Sequence, residues 1–182
     1  MLARLTLKLA ALPESGWPRF AAACAQEEPM PPPTLHAAAV AGVSVLATAL
    51  GAALRSGSTT GGVLLHALAA LLGYAGGALL VVQLTGRWVE VPRAREALVA
   101  RFASGAALPV LLSGAINVLP LVPMAAVLGL AGAALSLWSG WVGASALLGL
   151  EDASRKRAAL VPALLAGGPV VLAALVRLGL PA

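Results

Sequence analysis

The feature that most constrains the fold is a stretch of 49 residues, Phe102 to Leu150, that contains no charged side chain. A helix crosses a hydrocarbon core of ~30 Å with about 20 residues, so this stretch is too long for one span and suits two. Over the whole chain only 10% of residues are charged and 60% are hydrophobic, whereas about 25% are charged in soluble domains. A soluble helical bundle would need charged outer faces, which the charge-free stretches exclude. The sequence therefore predicts an all-α, polytopic integral membrane protein.

Breaks in the apolar pattern divide the chain into five predicted transmembrane helices. Arg55 and the turn-rich residues after it end the first span, and Arg87 follows the second. Asn117-Val-Leu-Pro120-Leu-Val-Pro123 contains the only strong helix breakers near the middle of the charge-free stretch, so we expect a tight apolar hairpin there. The predicted spans cover about residues 36–54, 62–85, 103–118, 122–148 and 158–176, within a transmembrane domain of residues 35–182.

Three prolines fall in the interior of predicted spans, away from their first turns. Pro109 lies in the short third span, and Pro162 and Pro169 lie in the fifth. An internal proline leaves a backbone carbonyl without its helical donor, so we expect a kink or a neighbouring group that satisfies it. Asn117, at the hairpin, is expected to cap the third span or to satisfy loop backbone groups, with ligand binding as the alternative.

The first 34 residues are predicted to form a cytoplasmic N-terminal segment. Leucines recur at helical spacing over residues 2–12, which predicts a short amphipathic helix lying in the membrane interface and retained in the mature chain. Residues 13–34 contain six prolines and three glutamates, so we expect mostly irregular, solvent-facing chain. A short helix from Pro18 to Glu28 fits this segment, because proline suits a first helical turn.

The distribution of lysine and arginine predicts the orientation. Ten of the twelve fall in the N-terminal segment, in the second connection (residues 86–101) and in the fourth connection (residues 151–157). Only Arg55 and Arg177 fall on the other side. Cytoplasmic loops carry the excess of basic residues, so the N-terminus is predicted inside and the C-terminus outside. The ten are Arg4, Lys8, Arg19, Arg87, Arg93, Arg95, Arg101, Arg155, Lys156 and Arg157.

The predicted spans contain little that could carry chemistry. They hold no Asp, Glu, Lys or Arg, which argues against ion-coupled transport. The serines have no histidine or carboxylate partner that would form a catalytic triad. His36 lies at the inner end of the first span and His66 near the outer end of the second, so the two should be far apart. We therefore favour helix pairing over a metal site. We expect no enzyme activity, no cofactor or metal, and no nucleic-acid binding, since the basic clusters are short and lack interleaved aromatics.

Small residues at four-residue spacing predict close helix packing. Gly73 and Gly77 form one such pair, and Gly132, Ser136 and Gly140 form a stripe along the fourth span. Packing within the monomer is favoured over a dimer face. Trp138 and Trp141 lie one turn apart and are predicted to anchor that span at the membrane interface. The expected partners are the lipid bilayer, a second copy of the chain or other membrane proteins.

The order of these features resembles the Yip-one domain family, whose eukaryotic members interact with Ypt/Rab GTPases, and specifically its bacterial branch. The resemblance begins with LPESGWPRFAAACAQEEP and is most specific over LVARFASGAALPVLLSGAINVLPLVPMAAVLGLAGAALSLWSGWVGASALL. Phe102 and Trp138 stand where the family commonly has tyrosine, Pro109 sits somewhat late, and Ala146-Leu-Leu followed by Arg155-Lys156 matches loosely. The resemblance implies five spans with a cytoplasmic N-terminus, and no catalytic residue.

Two functions remain open. The first is a non-enzymatic membrane-organising or partner-binding scaffold in a bacterial inner membrane, since the alanine-, leucine- and arginine-rich composition is typical of a high-GC bacterium. The second is a small transporter or channel-like subunit for an uncharged or lipid-like solute. A polar, water-filled cavity at the membrane midplane would favour transport, and a dry, tightly packed core would favour the scaffold.

Overall fold

The computed structural model describes residues 2–26, 30–55, 59–91, 93–119 and 122–179, and within these ranges the chain is all-helical. Five helices are long and apolar enough to cross a membrane, which confirms the predicted all-α fold with five candidate spans. The elements are α1 (Leu2–Ala11), α2 (Pro13–Ala25), α3 (Pro33–Ala53), α4 (Thr60–Ala70), a π-helical turn (Leu71–Ala75), α5 (Gly76–Trp88), a 3-10 turn (Arg93–Arg95), α6 (Glu96–Leu112), a 3-10 segment (Ser113–Val118), α7 (Val122–Ala146) and α8 (Asp152–Leu178).

The third span, α6, occupies the centre of the bundle. It contacts α1, α3, α5, α7 and α8, and every residue from Phe102 to Leu111 is buried. The other four candidate spans each keep a face of exposed leucine or valine, as expected for helices in contact with lipid. The apolar core is therefore built around a helix that lipid hardly touches.

The predicted spans differ from the helices in the structure at their ends, most at the starts of the third and fifth spans. The third helix begins at Glu96, because the polar residues before Arg101 continue into it without a break, and its last turn tightens into the 3-10 segment. The second span, Thr60–Trp88, is longer than predicted and contains the π-helical turn. The fifth helix begins at Asp152 and runs through Pro162 and Pro169 to Leu178 without interruption.

The N-terminal segment differs most from the sequence-based expectation. Residues 13–25 are helical and packed rather than irregular and solvent-facing, so that prediction is wrong for α2. The helix starts at Pro13, five residues before the predicted Pro18, and ends at Ala25; Glu28, the predicted end, lies outside the described residues. α1 packs on α2 and α6, and its Leu9 is fully buried, because the two short helices lie against the bundle as a pair.

The bundle has two ends that differ in charge. At the N-terminal end, where α3 begins and α5 and α7 finish, exposed Arg157 forms an ion pair with Glu90 at 3.1 Å, and Arg95 donates to the Leu148 carbonyl. At the distal end, α3 finishes, α4 begins, and α8 terminates near Arg177. The ion pair joins the second and fourth connections, as expected if the two lie on one side of the membrane.

Candidate functional site

Three spans contribute polar side chains to one buried cluster in the distal half of the bundle. The Asn117 side-chain amide donates to the Thr48 hydroxyl at 2.9 Å and to the Tyr74 hydroxyl at 3.4 Å. All three side chains are nearly or completely buried. Asn117 therefore bonds to helices on both sides of its own span, which differs from the predicted capping role, because the 3-10 segment turns its side chain into the bundle. We call Asn117, Thr48 and Tyr74 the polar cluster.

Two glycines allow the backbone to approach closely enough to build the polar cluster. A Cβ added to Gly51 of α3 would lie 1.8 Å from the backbone oxygen of Asn117, and a Cβ on Gly114 would lie 2.3 Å from the Tyr74 ring. Only glycine fits at these positions. Tyr74 lies in the π-helical turn, a rare element that often occurs at functional sites.

The hydrogen bonds of the polar cluster and of neighbouring Ser44 form a network that joins helices. Ser44 donates to the Leu111 carbonyl, and Thr48 donates to the Ser44 carbonyl at 2.8 Å. These hydroxyls are thus tied to backbone oxygens, and neither is paired with a histidine or carboxylate that would activate a nucleophile. Among the described residues, no group of three or more His, Cys, Asp or Glu is placed to hold a metal ion.

The two histidines make contacts between elements at different ends of the molecule. His36, at the start of α3, has Nε2 3.0 Å from the Thr6 hydroxyl of α1 and Nδ1 3.3 Å from the Ser104 hydroxyl of α6. His66, in α4, lies between Arg55 and Arg177, with each contact at 3.4 Å. Both therefore join helices, which is the role that the sequence favoured over a metal site.

Each predicted helix-packing glycine faces a neighbouring span. A Cβ on Gly73 would lie 2.6 Å from the Ala173 Cβ, and one on Gly77 would lie 2.9 Å from the Ala166 carbonyl oxygen, so this pair packs α8 against the second span. In the fourth span, Gly132 lies against α6 and Gly140 against Ala159 of α8. Contacts within the monomer thus occupy these four glycines.

Ser136, also in the predicted stripe, forms a hydrogen bond to the backbone of α6 beside Pro109. Its hydroxyl accepts a hydrogen bond from the Val110 backbone N–H at 3.1 Å, next to Pro109. A neighbouring helix therefore supplies a partner where a proline disturbs the helical hydrogen-bond ladder. Of the hairpin prolines, Pro120 lies outside the described residues, and Pro123 is the second residue of α7, where proline is tolerated.

The two predicted anchor tryptophans have different surroundings. Trp138 is 47% exposed on the outside of α7. Trp141 is partly buried; the Arg155 guanidinium lies 4.2 Å from its ring centroid, and Arg155 Nε donates to its carbonyl at 2.9 Å. An aromatic ring with a cation above it, at the end of a span, is typical of a membrane–water boundary.

Trp17 makes a fully buried aromatic contact that was not predicted from the sequence. Trp17 of α2 is fully buried, its ring packs against Phe20 and Phe102, and its Nε1 donates to the Ser139 hydroxyl at 3.0 Å. Gly105 and Gly143 flank the ring, where an added Cβ would clash at 2.7 and 2.5 Å. The two glycines are far apart in sequence, so no local pattern could have pointed to this pocket.

Comparison of the chain with protein-family models, with characterised proteins and with solved structures gave no significant match.

Proposed function

We propose that this chain is a non-enzymatic integral membrane protein of the Yip-one type that organises the membrane or binds other membrane proteins. The observation that carries the proposal is the central helix α6, whose residues Phe102–Leu111 are all buried among apolar and small neighbours. A transport pathway needs polar groups that line a cavity at the membrane midplane. A tightly packed apolar centre suits a protein that acts through its outer surface.

The use of polar groups in the spans supports the same proposal. Ser44, Thr48, Asn117 and Ser136 each bond to another protein group, and the bonds of Ser44, Asn117 and Ser136 join different helical elements. The excess of Lys and Arg at the N-terminal end argues for that end facing the cytoplasm. The alanine-, leucine- and arginine-rich composition favours the inner membrane of a bacterium as its location.

Crosslinking in native membranes, followed by affinity purification in mild detergent, tests the proposal. We expect specific membrane-protein partners, or a defined homo-oligomer, that survive stringent washing. The matched control is an unrelated five-span protein carrying the same tag at the same level. Recovery of the chain only as an uncrosslinked monomer would contradict a scaffold.

A second candidate, a transporter for an uncharged solute, is favoured by one observation. The π-helical turn and the 3-10 segment, which are the irregular parts of two spans, meet at the polar cluster. Irregular backbone at membrane depth often lines binding sites in transporters. Uptake of a neutral solute into proteoliposomes, reduced by Asn117→Leu but unchanged by Gln83→Leu at an exposed position, would favour transport over the scaffold.

A further inference from the structure

The distal end of the bundle contains two arginines that converge on one histidine. Arg55 Nη1 lies 3.4 Å from His66 Nε2, and Arg177 Nε lies 3.4 Å from His66 Nδ1. His66 is 1% exposed and Arg177 is 4% exposed. The two guanidiniums are also close enough to interact electrostatically. We call Arg55, His66 and Arg177 the cationic cluster.

The two arginines of the cationic cluster approach the two nitrogens of one imidazole ring. A guanidinium only donates, and a neutral imidazole has one acceptor nitrogen, so His66 cannot accept from both arginines at once. Protonation of His66 would remove its one acceptor and add a third positive charge. Within the described part of the chain, the buried Nε of Arg55 also has no hydrogen-bond partner. The two guanidiniums therefore present more donors to His66 than its imidazole can accept.

Among the described residues, the ion pair found is Arg157–Glu90, and no described acidic side chain contacts the cationic cluster. The acidic residues either precede α3 in the sequence or belong to the connections at the N-terminal end of the bundle. They are Glu14, Glu27, Glu28, Glu90, Glu96, Glu151 and Asp152. Buried charge without a counterion is strongly unfavourable, so a bound anion would stabilise this arrangement.

The depth of the cationic cluster and its neighbouring surface indicate which anion. Arg55 follows α3 and Arg177 lies in the last turn of α8, so the cluster sits at the end of the hydrocarbon region, where lipid headgroups begin. Arginines at such positions usually extend towards the headgroups, yet Arg177 is turned inward. A guanidinium pair also suits phosphate, which accepts hydrogen bonds through several oxygens.

An apolar groove begins one turn from the cationic cluster. It has a volume of about 180 Å³ and runs between the second span and α8. Its edge nearest the cationic cluster is formed by Ala69, three residues after His66, and by Val176, which precedes Arg177. Its remaining lining residues are Leu72, Gly73, Pro169, Leu172 and Ala173. A ligand with a phosphate and an alkyl chain would match the cluster and the groove together.

We propose that the distal end binds one anionic phospholipid, with its phosphate on Arg55 and Arg177 and an acyl chain in the Ala69–Val176 groove. His66 spaces the two guanidiniums so that both can donate to one headgroup. The site does not depend on whether the protein acts as a scaffold or as a transporter.

Binding can be measured on the full chain in a sugar-based, phosphate-free detergent, with a neutral linker and tag after residue 182 that moves the terminal carboxylate away. The probes are phosphatidylglycerol, diacylglycerol with the same acyl chains, and inorganic phosphate. We expect phosphatidylglycerol to bind and to raise the thermal unfolding temperature, and diacylglycerol to have little effect. Binding of inorganic phosphate without any preference for phosphatidylglycerol would overturn the lipid assignment, as would binding of neither.

Variants test the two parts of the site separately. Arg55→Gln and Arg177→Gln should each weaken phosphatidylglycerol binding about ten- to hundredfold, since each removes charge-assisted hydrogen bonds. Arg87→Gln, at an exposed arginine of the N-terminal end, is the matched control and should bind as the native protein does. Because Arg55 is only partly buried, its variant keeps the test available if Arg177→Gln does not fold.

For the groove, Ala69→Phe should weaken phosphatidylglycerol binding several-fold, whereas Ala38→Phe, at an exposed position of α3, should not. Equal affinities for Arg55→Gln and Arg87→Gln, or for the two Phe variants, would refute the corresponding part of the proposal.

Discussion

Replacing Trp17 with alanine should release the α1–α2 pair from the bundle. The substitution empties the pocket between Gly105 and Gly143 and removes the donor to Ser139. Large-to-small changes at buried tryptophan cost about 3–5 kcal/mol. Each 1.4 kcal/mol is a factor of about ten, so the open population of α2 should rise about 140- to 3,700-fold, up to the limit set by an unstructured segment.

Limited trypsin digestion in detergent measures this opening. Arg19 lies in the middle of α2, and cleavage after it requires the helix to open locally, so the cleavage rate follows the open population. The peptide that ends at Arg19 can be quantified by mass spectrometry. Cleavage at exposed Arg157 in α8 reports on unfolding of the rest of the bundle and should change far less.

Trp88→Ala is the matched control, because Trp88 is 60% exposed and its loss leaves no comparable cavity. If the Trp17 and Trp88 variants are cleaved after Arg19 at the same rate, the docking of α2 through Trp17 is refuted. Acceleration at Arg19 and Arg157 alike would show that α2 has no separate opening.

Three further predictions follow from other parts of the molecule. Gly114→Ala should lower stability by about 1–3 kcal/mol, because the new methyl group meets the Tyr74 ring, whereas Gly42→Ala, with nothing within 4 Å of the added Cβ, should not; thermal unfolding in detergent distinguishes them. Burial raises the pKa of the Cys24 thiol, and nearby Arg101 partly opposes this, so the thiolate forms only at higher pH than in the unfolded chain. The midpoint of maleimide labelling of Cys24 against pH should therefore lie above the midpoint in denaturant, and coincident midpoints would contradict it. Impermeant probes on intact cells should reach a tag after residue 182 and not one at residue 5; the reverse pattern would overturn the orientation.

The fold was largely predictable because hydropathy and charge determine which segments can lie in lipid. The five candidate spans follow from charge-free stretches and from breakers such as the Asn117–Pro123 segment. Contacts between distant residues were not predictable in the same way. Trp17 looked like part of a polar, proline-rich linker, and only the tertiary structure brings Gly105 and Gly143 to either side of it.

The cationic cluster was also not predictable, because local hydropathy alone set the end of the fifth predicted span. Arg177 follows the last apolar residue of the fifth predicted span, so the sequence indicated a charge outside the membrane. The helix instead continues to Leu178, and Arg177 is buried against His66. A useful signal was nevertheless present: the predicted outer side has two arginines and no acidic residue.

The central position of α6 has a consequence for how the protein is made. During synthesis this helix enters the bilayer before α7 and α8 exist, so lipid must solvate a surface that later becomes interior. Ser104 and Gly105 of this helix are poor matches for acyl chains and suit the helix neighbours they eventually meet. The third helix is therefore expected to be unstable in the bilayer until α7 and α8 have been inserted. Truncation before residue 122 should yield a chain that cellular quality control degrades.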